Sequence, residues 1–130
     1  MIILDTHVVV WLASDDVRLS KKAKVAIDEA RRDEGGLAIS DFTLYELSTL
    51  FRKKQIGLSI SLESFLSEVE KRFTVFPITA AICVSALALP IAYPKDPADR
   101  IIGATALVEG LTLLTADAQI RNSRVVLMLW

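Results

Sequence analysis

M-I-I-L-D-T-H-V-V-V-W-L, residues Met1 to Leu12, is the stretch whose reading decides the fold. An apolar run, Ile2 to Leu4, has the length of a short buried strand and stops at a carboxylate, Asp5. Thr6 follows as a cap-forming residue, and Val8, Val9, Trp11 and Leu12 then recur with helical spacing. Strand, acid and helix start fall within a few residues. That order puts Asp5 at the carboxyl end of a first strand, where open α/β sheets build their ligand crevices. One acid so placed is a weak signal, but three more lie at similar element ends further along.

Outward from this stretch, Ser14-Asp15-Asp16 interrupts the first helix. Ser20 caps a second helix through Ala23, Val25, Ile27 and Ala30, ended by Gly35-Gly36. Leu37 to Ile39 reads as a strand. Ser40 and Asp41 cap a helix expected over Phe42 to Gln55, with Gly57 as its stop. Ser61 caps Leu62 to Arg72, without a capping box because Ser64 stands at the third position. Thr74-Val75-Phe76 is a strand closed by Pro77, and Thr79 caps an Ala-rich helix, Ala80 to Leu89. After a loop with Pro90 and Pro94, Asp96 reads as an N-cap, Pro97 as the first helical residue and Asp99 as the third. That helix runs to Gly110. Leu111 to Leu114 is a strand, Thr115-Ala116-Asp117 leads into a short helical piece, and Arg124 to Leu129 closes as a final strand. Short apolar strands alternating with helices argue for a parallel sheet covered on both faces. No repeat or linker divides the chain, so residues 1–130 read as one domain.

Composition limits what the chain does. Apolar residues make up 52% of 130 positions. That excess implies an apolar surface patch, hence a homodimer or a partner chain. The net charge is −1 and the isoelectric point about 5.8, against the basic character of a dedicated duplex-DNA binder. A lone cysteine, Cys83, excludes an intramolecular disulfide, and its apolar neighbours predict a buried, inert thiol. No signal peptide opens the chain and no uncharged run approaches the roughly 18 residues of a membrane span, which predicts a soluble cytoplasmic protein.

Asp5, Glu46, Asp99 and Asp117 carry the candidate chemistry. Asp5 and Asp117 follow strands at their carboxyl ends; Asp99 and Glu46 lie in the first and second turns of helices. A parallel sheet gathers such positions at one edge. Each acid also has a structural reading: a turn for Asp5, a helix-dipole contact for Asp99, a cap for Asp117. Glu46 is harder to explain away, because Phe42 and Leu50 flank it one turn off. Ionised carboxylates crowded in a cleft repel one another, and a divalent cation relieves that cost. Oxygen donors without a Cys or His cluster suit Mg²⁺, with Mn²⁺ as substitute, rather than Zn²⁺. Phosphodiester hydrolysis is the chemistry such a centre serves. His7 is the sole histidine and reads mainly as structural; no nucleophile–histidine system and no phosphate-binding glycine loop is present.

These residues resemble a PIN domain, and in particular the VapC-like toxins of type II toxin–antitoxin pairs. The likeness rests on L-D-T-H-V-V-V-W-L (Leu4 to Leu12), S-D-F-T-L-Y-E-L (Ser40 to Leu47), D-P-A-D-R-I-I-G-A-T-A (Asp96 to Ala106) and E-G-L-T-L-L-T-A-D (Glu109 to Asp117), with a terminal V-L-M-L-W. Their order and spacing are more specific than any one block. Ala98 stands where the family usually has a large aromatic, a departure beside Asp99 that removes no ligand. The resemblance implies a three-layer α/β fold, with a central parallel sheet of about five strands flanked by helices. It implies a Mg²⁺- or Mn²⁺-dependent endoribonuclease acting on RNA, with Asp5, Glu46 and Asp99 as the acidic site and Asp117 as a more variable fourth member. Thr115 would orient a carboxylate or a water, with Thr6 also in support. Homodimerisation and a cognate antitoxin are implied too.

On this reading Asp5 and Asp99 hold the metal directly, and Glu46 and Asp117 complete the shell directly or through water. Arg52, Lys53, Lys54 and Arg100 are candidates for the RNA backbone. A haloacid-dehalogenase-like phosphatase would need an acid where His7 stands, and a receiver domain would need a lysine late in the chain, where none follows Lys95. The alternative is a catalytically silent PIN-like module that only binds RNA or a protein.

Overall fold

The computed structural model describes residues 1–33 and 35–130. Its elements run β1 (Ile2–Leu4), α1 (Thr6–Ala13), α2 (Lys21–Arg32), β2 (Leu37–Ser40), α3 (Asp41–Arg52), α4 (Leu62–Arg72), β3 (Thr74–Phe76), α5 (Ala80–Ala88), α6 (Pro97–Glu109), β4 (Thr112–Leu114), α7 (Ala118–Ser123) and β5 (Met128–Leu129). The five strands form a parallel sheet in the order β3-β2-β1-β4-β5. The expected α/β fold is therefore present.

Strand alternation distributes the core between two layers of helices. Leu4, Leu37, Ile39 and Leu114 point to one face, where Val8, Ile27, Leu47 and Phe65 of α1 to α4 cover them. Ile3, Ala38 and Leu113 point to the other, against Tyr93, Ile102, Ala106 and Ile120. β1 lies centrally, paired with β2 on one side and β4 on the other. The chain runs from β1 outward through β2 to β3 and then crosses back to β4 on the other side of β1, so the crevice beyond the carboxyl ends of β1 and β4 is the switch point where such sheets bind ligands.

Caps follow the sequence at Ser20, Ser40, Ser61, Thr79, Asp96 and Asp117, each accepting a backbone N–H of its helix. Four readings of element bounds and burial need correction. α3 stops at Arg52, not Gln55, because Lys54 takes the left-handed φ of 57°. Lys54 and Gln55 then donate back to the carbonyls of Phe51 and Leu50, a Schellman-type close that needs no glycine. The final strand shrinks to Met128–Leu129, since Arg124 also adopts a left-handed φ, 54°, and turns the chain after α7. β4 begins at Thr112 rather than Leu111, whose N–H closes α6 onto the Ala106 carbonyl. Cys83 is exposed, not buried: α5 turns Ile82 and Ala86 inward, which leaves Cys83, Val84 and Leu87 facing out. That face, continued by Ile91, supplies the apolar surface expected from composition. No helix among the described residues is long and apolar enough to cross a membrane.

Candidate active site

β1 delivers Asp5 to the sheet edge, where the residue is only 4% exposed. Oδ1 accepts the Thr6 N–H at 2.8 Å, so Asp5 itself is the N-cap of α1. Thr6 is the first helical residue and not the cap, because the carboxylate already reaches the free N–H and releases the hydroxyl for another partner. Oδ2 accepts the Thr115 hydroxyl at 2.8 Å, from the end of β4. His7 Nδ1 stands 3.4 Å from the same oxygen. His7 Nε2 accepts the Ala116 N–H at 3.2 Å, which leaves the ring proton on Nδ1, facing Asp5.

The released Thr6 hydroxyl crosses to α3 and meets Glu46 Oε1 at 2.6 Å. Thr43 Oγ1, one turn before Glu46, lies 3.1 Å from Thr6 Oγ1. Thr6 has one proton and gives it to Glu46, so Thr43 is the donor in that contact. Burial raises the Glu46 pKa, with the charges of Asp5 and Asp96 adding to it; the Thr6 hydrogen bond opposes the rise.

Asp99 reaches the same edge from α6. Asp96 caps that helix, accepting from the N–H groups of Ala98 at 2.8 Å and Asp99 at 3.4 Å. Burial pushes the Asp99 carboxyl from 3.8 up to about 7, and Asp5, Asp96, Asp117 and Glu46 all add to the rise. Tyr93, wholly buried, donates its phenol to the Asp99 carbonyl at 3.2 Å. Asp117 caps α7 through Ile120 N–H at 2.9 Å, and its own N–H donates to Thr115 Oγ1 at 3.1 Å. Thr115 thus joins Asp5 to Asp117, as Thr6 joins Asp5 to Glu46.

The four acids singled out in the sequence therefore share one edge, where Asp5, Glu46 and Asp117 all bear on the Asp99 carboxyl. Among the described residues no three His, Cys, Asp or Glu side chains stand as a ready-made metal cage. Mg²⁺ does not require one: it keeps several waters and takes one or two carboxylates. The donor set fits such an ion, being oxygen throughout and strained by repulsion that a cation would relieve.

The basic candidates lie elsewhere. Arg52, Lys53 and Lys54 are exposed at the far end of α3, with Arg52 about 9 Å along the axis beyond Glu46. Arg100 turns away and donates to the carbonyls of Ala86 at 3.2 Å, Leu89 at 3.1 Å and Pro90 at 3.5 Å, where it caps α5. Sequence reasoning missed Asp96 as a fifth charge at the edge, Thr43 as the donor behind Thr6, and Tyr93. Thr43 had a signal, three residues before Glu46 on one helix face.

Residues 2–125 match the PIN domain family. The chain is 37% identical over 123 residues to Ribonuclease VapC22 of Mycobacterium tuberculosis, covering 95% of this chain and 92% of the relative. Its fold is similar to a chain of a toxin–antitoxin complex from Klebsiella pneumoniae, with a TM-score of 0.73, 22% identity and coverage of 100% and 97%. It is also similar to a chain of VapBC2 from Rickettsia felis bound to a promoter DNA fragment, with a TM-score of 0.72, 18% identity and coverage of 99% and 98%.

Proposed function

The chain belongs to the PIN domain family, and we propose that it is a Mg²⁺-dependent endoribonuclease, the toxin of a toxin–antitoxin pair. The convergence of Asp5, Glu46, Asp99 and Asp117 on the β1/β4 switch point carries this reading. The 37% identity to a relative named as a ribonuclease supports the choice of substrate.

Asp5 and Asp99 would hold the ion, with Glu46 and Asp117 close enough to act on it directly or through water. Bound there, Mg²⁺ or Mn²⁺ would neutralise charge building on the phosphate and lower the pKa of water. The chain's own residues prepare the place. Thr115 and the Thr6 N–H fix both Asp5 oxygens, so the carboxylate does not reorganise as the reaction proceeds. Thr6 holds Glu46 against the same edge. Asp99, at about 7, retains a proton in part at neutral pH and would give it up on holding a cation.

An antitoxin partner, homodimerisation and a cytoplasmic location belong to the same reading. The exposed apolar residues Val84, Leu87 and Ile91 support self-association or a partner chain. Incubating the purified chain with RNA in Mn²⁺, and again with chelator, tests the proposal. Metal-dependent internal cuts are expected; intact RNA in both conditions would overturn it.

A further inference from the structure

His7, Trp11, Trp130 and Arg18 form a ladder of flat side chains that starts at the Asp5 carboxylate. The His7 ring, in contact with Asp5 through Nδ1, lies 4.9 Å from Trp11 at 58°. Trp11 lies 5.6 Å from Trp130 at 56°. The Arg18 guanidinium carbon sits 4.8 Å over the Trp11 ring. Asp16 grips that guanidinium at 3.0 Å and 2.8 Å, which sets its plane. Both tryptophans pack partly on the core and stay partly exposed, and the His7 and Arg18 side chains are 34% and 65% exposed. Trp130 follows β5, so it stands at the same sheet edge as Thr115.

Charge makes this ladder informative. The edge gathers carboxylates and the chain's net charge is −1, so a phosphate backbone finds little electrostatic hold beyond a bound cation. Arg100 is spent on α5 and the Arg52–Lys54 group lies away from the edge. Bases then offer a strand a second hold, and aromatic rings with an arginine beside them are how proteins hold single strands irrespective of sequence. We propose that the ladder is a base-stacking subsite for single-stranded RNA, seating an unpaired base that flanks the phosphate at the Asp5–Asp99 edge. His7 bridges the carboxylates to the stack. The subsite deepens the ribonuclease reading and rests on it.

The chain has two tryptophans and both are in the ladder, so intrinsic fluorescence reports stacking directly. A short single-stranded oligoribonucleotide is titrated into the full chain in chelator, and by stopped flow in Mn²⁺ before cleavage. Anisotropy of a labelled strand reads binding; tryptophan emission reads stacking. The series is repeated with one abasic position walked along the strand. Binding should quench emission, and one abasic position should restore it and weaken binding by about 5- to 150-fold. Trp11→Leu and Trp130→Leu should remove that sensitivity while Trp11→Phe keeps it; the wild-type abasic series decides even if a variant misfolds. Binding without quenching, with every abasic strand equal, would overturn the subsite and leave the ribonuclease reading standing. No binding in either condition would overturn both.

Discussion

Thr115 donates its hydroxyl proton to Asp5 Oδ2 at 2.8 Å across 110 residues of chain. The same hydroxyl accepts the Asp117 N–H at 3.1 Å, so one side chain spans the switch point between β1 and β4. Thr115→Val keeps the shape and removes both hydrogen bonds. It should cost about 1–3 kcal/mol, the range for leaving a buried polar group unpaired. Urea denaturation reads that loss, RNA cleavage should fall with it, and Thr115→Ser should recover most of both.

Asp99 gives stability a distinctive pH dependence. Its pKa is raised from 3.8 to about 7 in the fold, so the folded chain holds a proton there that the unfolded chain releases. The metal-free chain should have this contribution in full below pH 3.8 and lose it as pH climbs through about 7. Asp99→Asn should flatten that part of the profile and raise the melting temperature of the metal-free chain above pH 7. Mn²⁺ should stabilise the wild type there and the variant much less. Thermal melts across pH, with and without Mn²⁺, check the sign.

Tyr93 and Gly103 fit each other. A Cβ on Gly103 would run into the Tyr93 hydroxyl and the ring carbon that bears it. Gly103 lies inside α6, where glycine weakens a helix by about 1 kcal/mol relative to alanine, so helix propensity alone would favour Gly103→Ala. The steric conflict reverses that sign: Gly103→Ala should destabilise by about 1–3 kcal/mol, the usual range for overpacking. Pairing it with Tyr93→Leu, which vacates the space, should return part of the loss in a double-mutant cycle. Because Tyr93 also holds the Asp99 carbonyl, Tyr93→Phe should weaken Mn²⁺ binding with little change in packing.

Most of the fold could be read in the sequence because its signals are local. Ser61 before Leu62, Asp96 before Pro97 and the β-rich Thr74-Val75-Phe76 give element bounds that the structure keeps. The errors came where tertiary contacts override local preference. Lys54 and Arg124 take left-handed backbone without being glycine, so the ends of α3 and β5 carried no residue signal. Cys83 looked buried by its neighbours, but which side of an evenly apolar helix faces inward is decided by α6 packing against α5. The acids could be named from their places at element ends. Their relays, through Thr6 to Glu46 and through Thr115 to Asp117, depend on side-chain meetings across 40 residues or more, which spacing does not encode.

Arg100 separates a structural cation from an RNA contact. Its guanidinium meets the carbonyls that end α5. Arg100→Ala should cost about 1–3 kcal/mol by removing charge-assisted hydrogen bonds. RNA affinity at fixed salt, measured well below the melting temperature, should hardly change.

The central claim is that Asp5 and Asp99 share one ion at one edge of the sheet. Its most direct test is the rate of RNA cleavage in Mn²⁺ by the purified Asp99→Asn variant, which the pH argument expects to be folded. The account predicts a loss of about 100-fold or more, the scale on which removing one electrostatic element of a site acts. Cleavage at the wild-type rate would contradict it.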